Sequence, residues 1–459
     1  MEIITIEAQT RPFMYKEDII MHKIKVSVLI PSLNVAPYIN ECLQSVISQT
    51  LQEIEIICVD AGSTDGTLKA LHDFARRDSR ISILNSPRKS YGYQMNMALQ
   101  AASGEYIGIL ESDDYTEPEM FSDLYEAAQK NDADIVKSNY RECAMGKPDV
   151  ICNPMEPFAD GKTFVPYERW QVFWGAPSIW SAIYRREFLL ENQIAFTETP
   201  GASYQDTAFH FKVLSCARRM LAMDKAYVHY RTDSVNSSLN NKEKVYCVCG
   251  EFENLWQYLK ARPHLMEKVR EIIPYAQYLA YKWNYQRIAD SFKVDFLEKA
   301  SADFLHLKQR GCLEKTYWDA DAWEKLKILL LSPAQIYLNR LLKKQGEDIY
   351  KAGVLTQVMH YQKRYIYGAG VIGKKTARFF MDNNVCLDGF AVSSANGNPD
   401  DVMGLSVAAV DELNVKNEEA IFVVAVKEFD FEDIFIRLNK AGYTNVLFMN
   451  KALRQSLHI

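Results

Sequence analysis

Short apolar runs alternate with amphipathic segments along the first quarter of the chain. Strands are predicted where apolar residues follow one another, and helices where they recur every three or four positions. The predicted strands are Val26–Ile30, Ile54–Val59, Ile81–Leu84 and Tyr106–Leu110, with helices between them. This alternation predicts a parallel sheet covered by helices.

Polar residues end three of these predicted strands. The three ends are Pro31–Asn34 (PSLN), Asp60–Gly66 (DAGSTDG) and Glu111–Asp114 (ESDD). Because ligands of parallel sheets bind beyond the carboxyl ends of the strands, we expect the three ends to converge on one crevice.

The pattern changes twice farther along the chain. Strand signals vanish between about 243 and 346, where the sequence is helical and aromatic, and they resume at Arg364. The predicted fold class is therefore α/β with two Rossmann-like domains and a helical region between them. The predicted divisions are an N-terminal extension (1–24), a first α/β domain (25–240), the helical region (241–350) and a smaller α/β domain (360–459).

Composition narrows the class of protein. The 459 residues carry a net charge of −6, which argues against nucleic acid as the main ligand. The nine cysteines are scattered, and the first residues lack the pattern of a secretory signal, so we expect a reducing, cytoplasmic location. No apolar stretch is long enough to cross a bilayer, so membrane contact would be peripheral.

Two of the polar strand ends are candidates for chemistry. The carboxylates of ESDD suit Mg²⁺ or Mn²⁺ bound together with phosphate oxygens, although a solvated turn would also explain them. Asp60 suits hydrogen bonds from a nucleobase or a ribose, although DAGSTDG is equally typical of a turn before a helix.

Several ordered blocks give a more specific indication. VSVLIPSLNVAPYINECLQSVISQT, EIICVDAGSTDGT and ALQAASGEYIGILESDDYTEP resemble the family 2 glycosyltransferases, which have the GT-A fold. The resemblance covers about residues 25–240. It implies inverting transfer of a sugar, of the hexosyltransferase type, from a nucleotide-sugar donor. A UDP-sugar, a divalent cation and a glycan or lipid-linked acceptor of surface polysaccharide synthesis are expected.

The resemblance also implies roles for individual residues. Asp206 corresponds to the catalytic base and Asp113 to the metal ligand of a DXD-type motif. The residues implied to bind the donor are Pro31, Asn34, Asp60, Asn96, Glu111, Ser112 and Arg231. The Ser- and Asn-rich run SVNSSLNN after Arg231 is expected to form a lid.

The chain departs from the family pattern at four positions in or beside these motifs. Glu111 and Ala61 stand where an Asp is usual, Met95 where an Arg is usual, and Gln205 where a Glu is usual. Without the resemblance, Asp206 would be interpreted as the N-cap of a helix.

The motif GAGVIG at Gly368–Gly373 follows a predicted strand and opens a helix, as in phosphate-binding turns. A dinucleotide site also needs an acidic residue at the end of the next strand, but that strand ends in Ser393-Ser394. We therefore do not expect NAD. This part of the chain resembles small Rossmann-like domains attached to sugar-processing proteins of bacterial surface polysaccharide pathways.

Two other functions are compatible with these patterns. One is an oxidoreductase or epimerase centred on GAGVIG. The other is a non-catalytic nucleotide-sugar-binding scaffold, which the departures at Glu111, Ala61 and Gln205 would fit. The aromatic residues between 250 and 290 are interpreted as core, with an acceptor groove or a membrane-facing surface as the alternatives.

Overall fold

The computed structural model describes residues 23–234, 242–345, 347–427 and 430–459. Most of the predicted N-terminal extension and most of the predicted lid therefore lie outside the described residues. The chain divides into two compact units. Of the described residues, the first unit contains 23–166, 176–209 and 216–234, and the second contains 167–175, 210–215 and those from 242 onward.

The first unit combines strands and helices, and as far as Leu110 they alternate in the order that the sequence predicts. Its strands are β1 (Val26–Ser32), β2 (Ile54–Asp60), β3 (Ile81–Asn85), β4 (Tyr106–Ile109), β5 (Tyr115–Thr116), β6 (Ile135–Cys143), β7 (Val150–Cys152), β8 (Ala182–Arg185) and β9 (Met220–Arg231). Its helices are α1 (Ile39–Ile47), α2 (Thr67–Ala75), α3 (Tyr91–Ala101), α4 (Met120–Lys130), α5 (Arg186–Glu191) and α6, which begins here (Gln205–Cys216).

In the described part of this unit the strands form one nine-stranded sheet. The order is β3-β2-β1-β4-β8-β6-β9-β5, with β7 beside β6. The first four strands run parallel, whereas β8 is antiparallel to both β4 and β6. All residues of β1 are buried, as expected for a central strand covered by helices on both faces.

The four strands predicted from apolar runs are confirmed; the first three extend one or two residues farther than predicted, and the fourth ends one residue earlier. The β1–β2 ladder continues to the pair Ser32 and Asp60. These polar residues therefore belong to the sheet rather than to the loops after it, so the backbone of the sheet positions the Asp60 side chain.

The long part of the second unit, from residue 242 onward, begins with helices. They are α7 (Cys247–Lys260), α8 (Pro263–Val269), α9 (Ile273–Arg287), α10 (Lys293–Gln309), α11 (Ala320–Leu331), α12 (Pro333–Gln345) and α13 (Glu347–Met359). Tyr275, Tyr278 and Tyr281 are buried, which supports their interpretation as core, whereas Trp283 is 43% exposed. In the described residues, no helix has both the length and the apolar character needed to cross a membrane.

A second sheet ends the chain, as the sequence predicts. Its strands are β10 (Lys363–Tyr367), β11 (Gly389–Val392), β12 (Asp401–Val402), β13 (Leu405–Ala409), β14 (Ala420–Val424) and β15 (Val446–Phe448). The helices around it are α14 (Val371–Asp382), α15 (Phe431–Lys440) and α16 (Lys451–Ser456). The order among described strands is β12-β13-β11-β10-β14-β15, with only the β12–β13 pair antiparallel. Strands β12 and β13 were not predicted.

Candidate active site

The carboxyl ends of the central strands are joined by a buried glutamine. Gln94 of α3 donates from Nε2 to the carbonyl oxygen of Ser32 at 3.0 Å and to that of Val59 at 2.7 Å. It thereby satisfies two backbone acceptors at the edge of the sheet where β1 and β2 end. No sequence pattern predicts this role, because the two acceptors lie 62 and 35 residues away along the chain.

The loops after β1 and β2 are bound to each other. The amide of Asn34 donates to Ser63 Oγ at 2.9 Å, and Asn34 Oδ1 accepts from the amide of Thr64 at 2.9 Å. Ala36 donates to Asp65 Oδ2 at 3.0 Å. Asn34, predicted to line the donor pocket, therefore holds the second loop in place, and buried Pro31 lies within β1 opposite Val59.

One carboxylate oxygen of Asp60 has no hydrogen-bond donor in the described part of the chain. Its Oδ2 accepts from the amides of Gly62 at 2.8 Å and Ser63 at 2.9 Å, which fixes the side chain. Its Oδ1 is buried and has no hydrogen-bond partner among the described residues. A buried acceptor without a donor is unfavourable, so this oxygen is suited to a donor group that a ligand brings.

Three carboxylates crowd the end of β4. Burial raises the pKa of Glu111 to about 8, with Asp113 and Asp206 adding to the rise and a hydrogen bond from Tyr91 opposing it. Asp114 is 1% exposed, and its Oδ1 accepts from the amide of Arg231 at 2.8 Å. Burial and then Asp113 raise the pKa of Asp114 well above its usual value. The alternative of a solvated turn therefore does not hold for Asp114.

This donor set suits a cation that is shared with a ligand. Among the described residues, no group of three or more His, Cys, Asp or Glu side chains is arranged to hold a metal ion. Hard divalent cations are often bound by one or two carboxylates, with phosphate oxygens completing the coordination. The crowded acids, together with a buried Asp114 Oδ2 that has no partner in the described structure, fit that arrangement.

Asp206 lies within electrostatic range of the same cluster. Asp113 and Asp206 both raise the pKa of Glu111, and both also raise that of Tyr230. Burial raises the pKa of Asp206 itself, while hydrogen bonds from Thr207 and the charge of Lys137 oppose the rise. Because α6 begins at Gln205, Asp206 accepts hydrogen bonds within the first turn while its charge acts on the acidic cluster.

Gln205 stands where the family usually has Glu, and its side chain is hydrogen-bonded to the segment before α6. Its Nε2 donates to Thr199 Oγ1 at 2.8 Å and to the carbonyl oxygen of Gly201 at 3.1 Å. Gly201 in turn accepts from the amide of Tyr91 at 3.0 Å, at the start of α3. The amide side chain is therefore required as a donor, which a carboxylate cannot be.

Two side chains predicted to bind the donor have protein partners. Asn96 donates to the carbonyl oxygen of Phe196 and accepts from the amide of Phe196, at 3.0 and 2.9 Å. Arg231 pairs with Glu41, and its guanidinium lies 5.0 Å from the centre of the Tyr115 ring. Ser112 is 5% exposed. The donor-binding roles of these three residues stay predictions.

The GAGVIG turn has close packing but lacks the acidic partner of a dinucleotide site. Gly368 has a φ of +106°, and a Cβ on Gly373 would lie 1.7 Å from the carbonyl oxygen of Gly368. Asp388 pairs with Lys363 at the amino end of the neighbouring strand. At the carboxyl end, Ser393 Oγ instead contacts the hydroxyl of Tyr367 at 2.8 Å.

The first unit is similar to a known family of proteins. Residues 27–217 match the family model described as Glycosyl transferase family 2. This match and the mixed sheet of the first unit confirm the predicted GT-A-type fold for this part of the chain.

Curated relatives match over part of their length. The uncharacterized glycosyltransferase EpsJ of Bacillus subtilis is 29% identical over 213 residues, which are 45% of this chain and 60% of the relative. Glycosyltransferase GlyG of Streptococcus pneumoniae is 40% identical over 116 residues, which are 25% of this chain and 38% of the relative. The chain thus spans about 60% or less of these relatives.

Solved structures show a more distant similarity. S. aureus TarS 1-349 in complex with UDP-GlcNAc is 19% identical, with a TM-score of 0.49 over 74% of this chain and 93% of that one.

Proposed function

We propose that this protein is an inverting glycosyltransferase that moves a sugar from a nucleotide-sugar donor to a glycan or lipid-linked acceptor in surface polysaccharide synthesis. The observation that carries the proposal is that Asp113 and Asp206 act electrostatically on the same two side chains, Glu111 and Tyr230. This supports the proposal that the metal ligand Asp113 and the proton acceptor Asp206 belong to one site.

The proposed reaction is a single displacement at the anomeric carbon. A bond forms between the acceptor oxygen and that carbon as the bond to the β-phosphate oxygen breaks, and the nucleoside diphosphate leaves. Asp206 accepts the proton of the acceptor hydroxyl, which requires an ionised carboxylate within about 3 Å of that oxygen. No protein nucleophile is needed.

Asp113 is the proposed ligand of Mn²⁺ or Mg²⁺, with donor phosphate oxygens completing the coordination and Glu111 beside it. When bound, such a cation neutralises negative charge on the diphosphate. The crowding of Glu111, Asp113 and Asp114 supports this assignment, because a cation relieves the repulsion among like charges.

UDP is the proposed nucleotide. The unpartnered Oδ1 of Asp60 needs a donor, and the imide N–H of uracil is one. We place the reaction in the cytoplasm, at the inner face of the membrane, where a lipid-linked acceptor would be reached. The C-terminal sheet is proposed to be a Rossmann-like accessory domain without NAD, since Ser393 stands where a ribose-binding acid is required.

Nucleotide release tests the proposal. Thermal shift with UDP-, GDP- and TDP-sugars, with and without Mn²⁺, first identifies the donor, because ligand at 100 times its Kd adds about 2.7 kcal/mol. Release of the nucleoside diphosphate is then measured for the wild type, for Asp206→Asn, and for Asp224→Asn, which changes an exposed residue of β9. We expect release to be lost only in Asp206→Asn.

Three outcomes would contradict the proposed activity. Tight binding without turnover in the wild type would favour the scaffold, and the absence of any shift would remove the donor site. A nicotinamide absorbance change would favour the oxidoreductase or epimerase.

A further inference from the structure

A lysine is almost completely enclosed in the first unit. Lys137 lies in β6 and is 3% exposed. Its Nζ contacts four oxygens among the described residues: the Ser178 carbonyl at 2.6 Å, Ser178 Oγ at 2.9 Å, the Pro177 carbonyl at 3.1 Å and Ser181 Oγ at 3.2 Å. A lysine this buried is unusual unless its charge is compensated.

These contacts favour the charged form. An ammonium has three N–H donors, whereas a neutral amine has two. Ser181 Oγ also donates to the Ser178 carbonyl at 2.9 Å, so it offers Lys137 a lone pair rather than a proton. The segment from Pro177 to Ser181 therefore forms a cradle of acceptors that fixes an ammonium in place.

The charge of Lys137 acts on Asp206. Burial lowers the pKa of Lys137 to about 7, and Asp206 opposes that fall. In return, Lys137 lowers the pKa of Asp206. Asp206 in turn raises the pKa of the acid Glu111 and of the phenols Tyr91 and Tyr230. Below about pH 7, where Lys137 is protonated, its charge therefore opposes the effects of burial and of Glu111 on the ionisation of Asp206.

We propose that Lys137 is a positioning residue whose fixed ammonium keeps Asp206 ionised, and thus able to accept a proton, inside an acidic cleft. The proposal rests on the proposed function, because it assigns Lys137 a role toward the catalytic base. Lys137 itself need not touch either substrate.

Profiles of kcat/KM against pH test the role. We compare the wild type with Lys137→Met, Lys137→Arg and the control Lys147→Met, which changes an exposed residue of the β6–β7 turn. Loss of a nearby cation raises the pKa of an acid, so the acid limb should move upward by about one pH unit in Lys137→Met. At a pH on that limb, kcat/KM should fall about tenfold. The arginine variant should retain the limb.

A uniform loss of kcat/KM at every pH in Lys137→Met would overturn the proposal, because it would indicate a structural role alone. An acid limb that stays at the wild-type pH in Lys137→Met would also overturn the proposal. If the methionine variant does not fold, Lys137→Gln, which keeps hydrogen-bond donors without charge, takes its place.

A second measurement does not depend on turnover. Carboxyl ¹³C NMR of aspartate-labelled protein, with the Asp206 signal identified through Asp206→Asn, reports the titration directly. An upward shift in Lys137→Met supports the inference even if no donor is ever turned over, and an unchanged titration overturns it even if the wild type is active. The two proposals can therefore fail separately.

Discussion

The hydroxyl of Tyr91 donates a 2.6 Å hydrogen bond to Oε1 of Glu111. Tyr91 is the first residue of α3, and its amide donates to Gly201 in the segment that leads to Asp206. The acid at the end of β4 and the approach to α6 are therefore attached to the same residue. Tyr91 thus links the proposed metal side of the cleft to the side of the proposed base.

Glu111→Gln should make the protein more stable and its transfer activity lower. A glutamine can still accept the Tyr91 hydrogen bond, and it carries neither a buried charge beside Asp113 and Asp206 nor the cost of taking up a proton to avoid that charge. We expect the free energy of unfolding of the metal-free protein to rise by about 1 kcal/mol, and transfer to weaken. Denaturant unfolding and nucleotide release measure the two effects. Glu126→Gln, at an exposed position of α4, should change neither, and a less stable Glu111→Gln protein would contradict the electrostatic account.

Asp60→Asn should weaken nucleotide binding and leave the fold intact. The asparagine oxygen can accept from Gly62 and Ser63, so the loop keeps its hydrogen bonds. Its amide group then replaces the unpartnered oxygen and faces the uracil imide with a donor. We expect the Kd for UDP to rise about tenfold, measured by calorimetry, since that corresponds to one lost hydrogen bond. Unchanged affinity would mean that the base lies elsewhere.

Gln205→Glu, which restores the family's usual residue, should destabilise this chain. A carboxylate cannot donate to Thr199 and Gly201, and it would face the Gly201 carbonyl oxygen with negative charge. We expect a loss of about 1–3 kcal/mol in denaturant unfolding. Gln100→Glu, at an exposed position of α3, serves as the control. Equal stability of the two variants would show that the segment before α6 does not depend on the amide.

Lys137 should make stability depend on pH. Burial lowers its pKa from 10.5 to about 7 in the folded protein, so between these values the unfolded chain binds a proton that the folded chain does not. Stability from this group therefore rises with pH across that window and falls as pH drops toward 7. From pH 7.5 to 9.5 we expect a gain of about 2 kcal/mol relative to Lys137→Met.

Urea unfolding of both proteins at the two pH values measures this difference. Lys147→Met should retain the wild-type slope, because that side chain is exposed. If Lys137→Met keeps the same slope, another group is responsible for it.

Much of the candidate site could be predicted, because its residues follow strands whose apolar pattern is legible. Asp60 and Glu111 stand at the ends of buried runs, and the strands predicted before them were confirmed. The resemblance to a family then suggested Asp113 and Asp206, and the structure brings both within range of Glu111. The partners of Asn96 and Arg231 could not be predicted from a local pattern, because Phe196 and Glu41 are 100 and 190 residues distant from them along the chain.

The amino-acid sequence by itself determined which segments are buried strands and which polar residues end them, because burial of apolar side chains follows a local period. Only the tertiary structure decided that Gln94 joins two strand ends, that Gln205 must donate, and that Lys137 lies in a cradle of oxygens near Asp206. Such contacts depend on where distant parts of the chain meet in space. The charge states in the cleft likewise follow from burial, which only the packed structure defines.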